Sequence, residues 1–163
     1  RSALQDTLVT SGLIFTVIIG SLIFSVFISI TGLADVIANS ATQADLGPVA
    51  SMLLIALALL LLGSVLDGLA LMLLATPIVL PIVSSLGLSP IWFGIFLVKA
   101  MEIGFIHPPI GLNLYVIQGI AKNVSLGTIF KGVLPFLTAD LLHLVLLVLF
   151  PAMALWLPEV MKP

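Results

Sequence analysis

Two adjacent prolines interrupt an apolar run in the stretch GFIHPPIGLN, residues 104–113. Each proline lacks a backbone N–H and disfavours the α conformation in the residue before it. A regular helix therefore cannot continue through Pro108 and Pro109. The sequence predicts a helix that runs to about Glu102, an unwound segment at the prolines, and helix again toward Lys122.

The composition on both sides of this break is that of a membrane protein. Of 163 residues, 61% are hydrophobic and 7% are charged, whereas an ordinary soluble domain has about 25% charged residues. A single core of this size cannot bury so much apolar surface, so the surplus must face lipid. In hydrocarbon, carbonyl groups freed by a proline are tolerated only where they line a protein or aqueous cavity. The break is therefore a candidate functional site.

Charge and motif content exclude several classes of function. The net charge is −2 with five Lys and Arg residues, which leaves no basic surface for nucleic acid. The sequence has no cysteine, so disulfides, thiolate metal sites and cysteine nucleophiles are excluded. The motifs HExxH, GxSxG and GxxxxGKS/T do not occur in it. We therefore predict that the chain is not an enzyme and holds no cofactor.

Apolar runs and their interruptions predict an all-α membrane fold with four segments. These are a transmembrane helix over 8–33, a re-entrant helical hairpin over 48–87, a broken helix over 89–122 and a transmembrane helix over 133–157. The first hairpin arm, Pro48 to Gly63, has 16 residues, about 24 Å of helix against a hydrocarbon core of about 30 Å. Gly63 and Gly68 bracket Ser64 and Asp67 in the turn. A re-entrant hairpin with its tip inside the membrane fits this arm length, and two full spans joined by a polar turn fit the pattern equally well.

Ionisable side chains inside the predicted spans each need a reason, because a charge in a bilayer is costly. Asp67, in the hairpin turn, is interpreted either as the N-cap of the next helix or as a group with a direct role in ion binding or gating. Lys99 and Glu102 are three residues apart on one helix face, which predicts an ion pair. Asp140 and His143 have the same spacing, and we expect them to pair at the level of the headgroups.

Backbone oxygens are the predicted ion ligands at the break. Hard cations take oxygen ligands, and the carbonyl groups near Gly63, Gly104, His107 and Ile110 offer them without a charged side chain. Secondary transporters use discontinuous helices to bring such groups to substrate and coupling ions. The sequence therefore favours a transporter. The alternative is a structural or assembly subunit of the membrane without an ion site, in which His107 is a hydrogen-bonded structural residue.

Several motifs, taken in order, resemble a known family. They are LDG at 66–68, TPIVLP at 76–81, PIWFG at 90–94, EIGFIHPPIGLNLY at 102–115, IFKGVLPF at 129–136, and the ending from Phe150-Pro151 to Leu157-Pro158. Together they resemble the C-terminal part of the large membrane subunit (DctM-like) of the tripartite ATP-independent periplasmic, or TRAP, transporters. The resemblance covers nearly the whole chain.

The resemblance implies an elevator-type, sodium-coupled symporter that imports organic acids such as dicarboxylates or sialic acid. It implies a multi-pass protein of the cytoplasmic (inner) membrane of a bacterium or archaeon. The implied partners are the N-terminal half of the same subunit, a small membrane subunit, a periplasmic substrate-binding protein and the lipid bilayer. The sequence begins at Arg1 rather than with Met and the family subunit is much longer. We therefore interpret residues 1–163 as one inverted repeat, the C-terminal half of that subunit.

The resemblance also implies a sodium site formed by the hairpin tip and the broken helix, mainly through backbone carbonyls. Carried over by motif, the ion-binding residues are Gly63, Gly104, His107 and Ile110, with sodium as the only metal; Ser64, Asp67, Pro108, Pro109 and Asn113 are supporting or substrate-facing residues. His107 departs from the family, which usually has Thr before the two prolines. A carbonyl ligand survives this change, whereas a hydroxyl ligand does not.

Overall fold

The computed structural model describes residues 2–33, 36, 47–108, 111–121 and 123–161, and these residues form helices and the turns between them. In chain order the helices are α1 (Ser2–Thr31), α2 (Pro48–Gly63), α3 (Gly68–Ser85), α4 (Pro90–Ile106), α5 (Leu112–Ile120), α6 (Leu126–Leu149) and α7 (Ala152–Val160). By length and composition, α1, α3 and α6 are able to cross a membrane. The predicted all-α membrane fold is confirmed.

Helix α1 has 30 residues and presents most of its apolar side chains outward. Ser21 and Ile28 are buried, and the helix contacts α3. It begins at Ser2 rather than at the predicted residue 8, because the polar residues ahead of the apolar run continue the same helical turns. Gly32 follows its last residue with φ +64°, the left-handed conformation with which many helices end.

Helices α2 and α3 form a helical hairpin with a short turn. Pro48 is the first residue of α2, where its missing N–H has no helical partner to lose. Helix α3 begins after Asp67, contains Pro77 and Pro81, and is followed by Gly87 with φ +73°. The two helices contact each other and α4. The helical hairpin is thus present in the structure, while the depth of its tip in a membrane stays a prediction.

Helix α4 is the centre of the packing. It contacts α2, α3, α5, α6 and α7. Trp92, Phe96, Ala100 and Ile103 are 0% exposed, and their spacing of four, four and three residues defines one face of the helix. The rings of Trp92 and Phe96 stack with centroids 5.1 Å apart. Because α4 contacts five other helices, the break at its C-terminal end is attached to the centre of the helical packing.

The C-terminal helices differ from the predicted bounds. The sequence suggests one helix over 133–157, whereas the structure has α6 and α7, divided at Pro151. Helix α6 begins earlier because Ser125 caps it: the Ser125 Oγ accepts a hydrogen bond of 3.2 Å from the Thr128 N–H. It ends earlier because Pro151 has no N–H with which to continue it. The broken helix of residues 89–122 consists of α4 and α5.

Candidate functional site

The hairpin turn and the end of α4 meet at two buried glycines, Gly63 and Gly104. A Cβ atom built on Gly104 would lie 2.9 Å from the carbonyl carbon of Gly63 and 3.0 Å from its Cα. A Cβ atom built on Gly63 would lie 3.6 Å from the Cα of Gly104. The two backbones therefore pack directly against each other, and a side chain at position 104 would force them apart. We call this contact the glycine junction.

Helix α4 unwinds directly beyond the junction. His107 leaves the helix with φ −75° and ψ 128°, an extended conformation that is typical of a residue before proline. In a continuing helix the Gly104 carbonyl would accept from the N–H of residue 108, but Pro108 has none. It instead accepts a long hydrogen bond of 3.4 Å from the His107 N–H. The Phe105 carbonyl loses its helical donor in the same way, because residue 109 is also proline.

A glycine in the left-handed region leads into α5. Gly111 has φ 45° and ψ 74°, and its carbonyl accepts a hydrogen bond of 2.8 Å from the N–H of Leu114, whose side chain is fully buried. A Cβ atom at position 111 would lie 3.2 Å from the carbonyl oxygen of His107. Asn113 is exposed in the first turn of α5. The His107 carbonyl therefore lies against a turn that only glycine adopts without strain.

The hairpin turn satisfies some of its backbone groups and leaves others free. Ser64 is buried, and its Oγ donates a hydrogen bond of 2.7 Å to the Leu61 carbonyl. The Leu62 carbonyl accepts from the N–H of Leu66 at 2.8 Å. The carbonyl oxygens of Gly63 and Ser64 accept no hydrogen bond from any residue that the structure describes. Two oxygens at this turn are therefore available to a cation or to water.

Asp67 caps the second arm of the hairpin. Its Oδ1 accepts hydrogen bonds from the N–H groups of Leu69 at 2.9 Å and Ala70 at 3.1 Å, two of the donors that a helix start leaves unsatisfied. The neighbouring Gly68 packs on α4, since a Cβ atom there would lie 3.0 Å from the Cζ of Phe105. Asp67 had two interpretations, a helix cap and a direct role in ion binding or gating. The structure shows the capping interaction, next to the glycine junction.

The structure brings together one group of the predicted site residues. Gly63, Ser64, Gly104 and His107 belong to the glycine junction and its immediate surroundings, and Pro108 is half-buried beside them. Pro109 and Ile110 lie outside the described residues, so their roles stay predictions. Across the ranges that the structure describes, no three His, Cys, Asp or Glu side chains form a group that could hold a metal ion. An ion at the junction would depend on backbone oxygens.

Lys99 forms the predicted ion pair and a second one that the sequence did not indicate. Its Nζ lies 3.6 Å from Glu102 Oε2, which confirms the predicted pair, and 2.6 Å from Asp140 Oδ1. The shorter contact runs from α4 to α6. Asp140 pairs with Lys99 rather than with His143, so the predicted pairing is wrong, while the level of the two residues in a membrane stays a prediction. Because α6 starts at Leu126, Asp140 is the fifteenth of its 24 residues and lies in the middle of the helix. Spacing along one helix carries no signal for a pair between two helices.

Comparison with known proteins gives the family. The sequence profile of the DctM component of the tripartite ATP-independent periplasmic transporters matches residues 1–153. The chain belongs to this family. The predicted family is therefore confirmed, and the chain is a multi-pass membrane chain. Proteins of this family are transporter permeases, which are not enzymes.

Three relatives indicate how much of a DctM-family protein is present. The C4-dicarboxylate TRAP transporter large permease protein DctM of Vibrio cholerae is 32% identical over 161 residues, which cover 99% of this chain and 35% of that protein. The sialic acid TRAP transporter large permease protein SiaM of Vibrio cholerae is 32% identical over 156 residues, 96% of this chain and 36% of that protein. The isethionate TRAP transporter permease protein DctMQ of Oleidesulfovibrio alaskensis is 33% identical over 147 residues, which cover 90% of this chain and 23% of that protein. The chain spans about a third or less of the length of these relatives.

Proposed function

We propose that this chain forms part of a sodium-coupled secondary transporter that imports organic acids across the cytoplasmic membrane. The names of its relatives specify C4-dicarboxylates, sialic acid and isethionate. The first two are carboxylates and the third is a sulfonate, so all three are small organic anions. The uptake of an anion into a cell opposes the membrane potential, and co-transport of a cation offsets that cost.

The observation that carries sodium coupling is the direct backbone contact of Gly63 and Gly104. The C-terminal ends of α2 and α4 meet there, and a helix C-terminus carries roughly half a negative charge from its macrodipole. The free carbonyl oxygens of Gly63 and Ser64 and the weakly bonded Gly104 carbonyl are ligands of the type that a hard cation requires. Protein sites for divalent cations usually include carboxylates that offset the double charge. A site made of uncharged carbonyl oxygens therefore suits a monovalent cation better.

We assign the sodium ligands to the backbone carbonyls of Gly63, Gly104, His107 and Ile110. Gly63 and Gly104 form the glycine junction, His107 follows at the end of α4, and Ile110 is assigned from its place in the motif. Five residues support the site or face the substrate: Ser64, Asp67, Pro108, Pro109 and Asn113. Ser64 holds the hairpin turn through its bond to Leu61, and the prolines withhold the donors that would otherwise occupy carbonyls of α4.

The start of α5 is the proposed contact for the substrate anion. Helix N-termini carry partial positive charge and unsatisfied N–H groups, which favour anions. Asp67 already occupies the N-terminus of α3 with its own carboxylate. The N-terminus of α5, with the exposed Asn113 in its first turn, has no such carboxylate among the described residues. Sodium at helix C-termini and an anion at a neighbouring N-terminus form one coupled site, as in other transporters with broken helices.

The proposed transporter requires chains beyond this one. We assign it three partners. They are the N-terminal half of the same subunit, which would be the other inverted repeat, a small membrane subunit, and a periplasmic substrate-binding protein. The tripartite description of the family and the coverage of only 35% of the Vibrio cholerae DctM protein support this assignment. In this proposal the binding protein selects the substrate, and the repeats carry it through the bilayer by an elevator motion.

The test is uptake of a labelled organic acid by the complete transporter reconstituted in liposomes with its partners. We expect uptake to require an inward sodium gradient and to cease when potassium or choline replaces sodium. Sodium-independent uptake would contradict the coupling. Complete assembly without any uptake would favour the alternative, a structural subunit.

Two variants locate the ion site. Gly104→Ala is expected to raise the sodium concentration for half-maximal uptake, because its Cβ displaces the Gly63 backbone. His107→Thr is expected to leave that concentration unchanged, because a carbonyl ligand survives the exchange. The matched control is Gly132→Ala, since a Cβ at this exposed glycine would meet nothing within 4 Å. A Gly104→Ala protein with unaltered sodium dependence would remove the junction from the site.

A further inference from the structure

We propose that a groove beside Lys99 binds a basic side chain, arginine or lysine, from a transmembrane helix in the part of the large permease outside this chain. The groove lies between α4 and α6, has a volume of about 480 Å³, and is lined by Gly94, Ile95, Val98, Lys99, Glu102 and His143. The proposal concerns how helices of the permease pack, and it does not depend on the sodium site.

The charges at this groove are not balanced. Among the described residues that line the groove, Lys99 is the one cation, and its Nζ lies 2.6 Å from Asp140 Oδ1 and 3.6 Å from Glu102 Oε2. Its side chain is 18% exposed, that of Asp140 31% and that of Glu102 60%. One cation thus contacts two carboxylates, Asp140 at the shorter distance and Glu102 at the longer one. With His143 counted as neutral, the four groups carry a net charge of −1. Glu102 is the more exposed and more weakly paired of the two carboxylates.

The groove lies near the middle of a membrane-crossing helix. Asp140 is the fifteenth of the 24 residues of α6, about 21 Å from its start and about 14 Å from its end at 1.5 Å per residue. By its length and composition this helix is able to span a membrane. Ionisable groups at this depth face protein or a water-filled cavity rather than lipid. The exposed carboxylate of Glu102 therefore needs a cover that these helices do not provide.

The shape of the groove suits a long basic side chain. Gly94, Val98 and Glu102 follow at intervals of four residues along one side of α4. A Cβ atom on Gly94 would meet nothing within 4 Å, so that end of the groove is open. Ile95 and Val98 offer apolar walls to an aliphatic stem, and Glu102 offers a carboxylate to its charged head. Lysine and arginine side chains commonly pack their aliphatic stems on apolar surfaces and place the charged end group next to polar or charged partners.

A helix of the same permease is the occupant that the observations favour. An anionic lipid headgroup would be repelled by the net negative charge and would lie at the membrane surface instead of at mid-depth. The chain covers 35% and 36% of its two Vibrio cholerae relatives, so most of the helices able to cover this face belong to the remainder of the subunit. We therefore commit to a basic residue from that remainder.

The test uses the complete permease with a photoreactive benzoylphenylalanine at Val98, which is 40% exposed in the groove. After irradiation, mass spectrometry identifies the attached peptide. We expect a peptide of the same polypeptide within one helical turn of an arginine or lysine. Leu142 is the matched control, since it is 66% exposed on α6 and does not line the groove. A photoreactive residue at Leu142 is expected to attach to lipid or to a peptide other than the one attached at Val98.

A second arm tests the charge. Glu102→Gln is expected to lower the yield of the Val98 adduct about threefold, the factor typical of one polar contact between transmembrane helices. Glu159→Gln, which alters an exposed carboxylate on α7, is expected to leave the yield unchanged. Attachment at Val98 to lipid, to the small subunit, to a second copy or to a peptide without a basic residue would overturn the proposal. An undiminished yield in the Glu102→Gln protein would also overturn it.

Discussion

The indole Nε1 of Trp92 donates a buried hydrogen bond of 2.9 Å to the carbonyl oxygen of Leu147, from α4 to the end of α6. In a continuous helix this carbonyl would accept from the N–H of residue 151, but residue 151 is proline. Trp92 therefore supplies the donor that Pro151 removes. A carbonyl without a donor is costly in an apolar environment, so this contact lets the chain divide α6 from α7 inside the packed helices.

The first prediction is that Trp92→Phe lowers the free energy of unfolding by about 1–3 kcal/mol, the usual cost of a buried polar group left without its partner. Phenylalanine keeps an aromatic ring for stacking on Phe96 and removes the N–H; because it is also smaller than the indole, some lost packing adds to the cost. The measurement is thermal unfolding of the purified permease in detergent. Trp156→Phe is the control, because Trp156 is 66% exposed. Equal losses in the two proteins would contradict the role given to the indole N–H.

The second prediction ranks two glycines of the junction. Gly104→Ala should destabilise the permease by about 1–3 kcal/mol, as overpacking does, because its Cβ meets the Gly63 backbone at 2.9 Å. Gly63→Ala should cost less, because its nearest neighbour is a movable side-chain atom, the Cδ2 of Leu71, at 3.2 Å. Unfolding temperatures of both proteins check the order. The reverse order would mean that the backbones do not pack as described.

The third prediction concerns the ion pair between α4 and α6. Lys99→Met leaves Asp140 without its cation and should cost about 2 kcal/mol, between the values for exposed and fully buried pairs. Adding Asp140→Leu should recover most of this loss, because the unpaired charge is then removed. Lys131→Met, at an exposed lysine near the start of α6, is the control. If the double variant is no more stable than Lys99→Met, then the pair is not the source of the effect.

Local signals in the sequence were enough to predict most of the fold. Pro48 marks the start of α2, Gly63 its end, and Pro108 the break beyond α4. Each signal acts through the backbone of its own segment, by removing a donor or permitting a turn. Such effects do not depend on the rest of the structure, which is why they can be predicted from one sequence.

Contacts between helices were not accessible in the same way. Lys99 and Asp140 are 41 residues apart, and Trp92 and Leu147 are 55 apart. Their partners are determined by how the helices pack, and spacing along one helix says nothing about that packing. The contact of Gly63 with Gly104 has the same character. The turn and the break mark both residues as sources of free carbonyl groups, but nothing in the spacing of the sequence shows that their backbones touch.

The fourth prediction separates the two interpretations of Asp67. Asn caps helices about as well as Asp, so Asp67→Asn should retain both stability and the sodium concentration for half-maximal uptake if capping is the whole role. Asp67→Ala should cost about 1 kcal/mol of stability, because the N–H groups of Leu69 and Ala70 lose their acceptor. Uptake assays and unfolding temperatures measure both effects. A stable Asp67→Asn protein with weakened sodium affinity would assign the carboxylate a direct role in ion binding.

The last prediction concerns the depth of the hairpin tip. Helix α2 has 16 residues, about 24 Å, which is shorter than a hydrocarbon core of about 30 Å. A cysteine at Val65, 60% exposed in the turn, should therefore react slowly with a membrane-impermeant thiol reagent in a cysteine-free version of the complete permease. It should react only from the side on which Pro48 lies, and more slowly when sodium is bound, because the ion orders the turn.

The control is a cysteine at Val49, which is 40% exposed at the other end of α2 and should react rapidly from the side on which Pro48 lies. Rapid reaction of the Val65 cysteine from the opposite side would mean that α2 and α3 are two full spans.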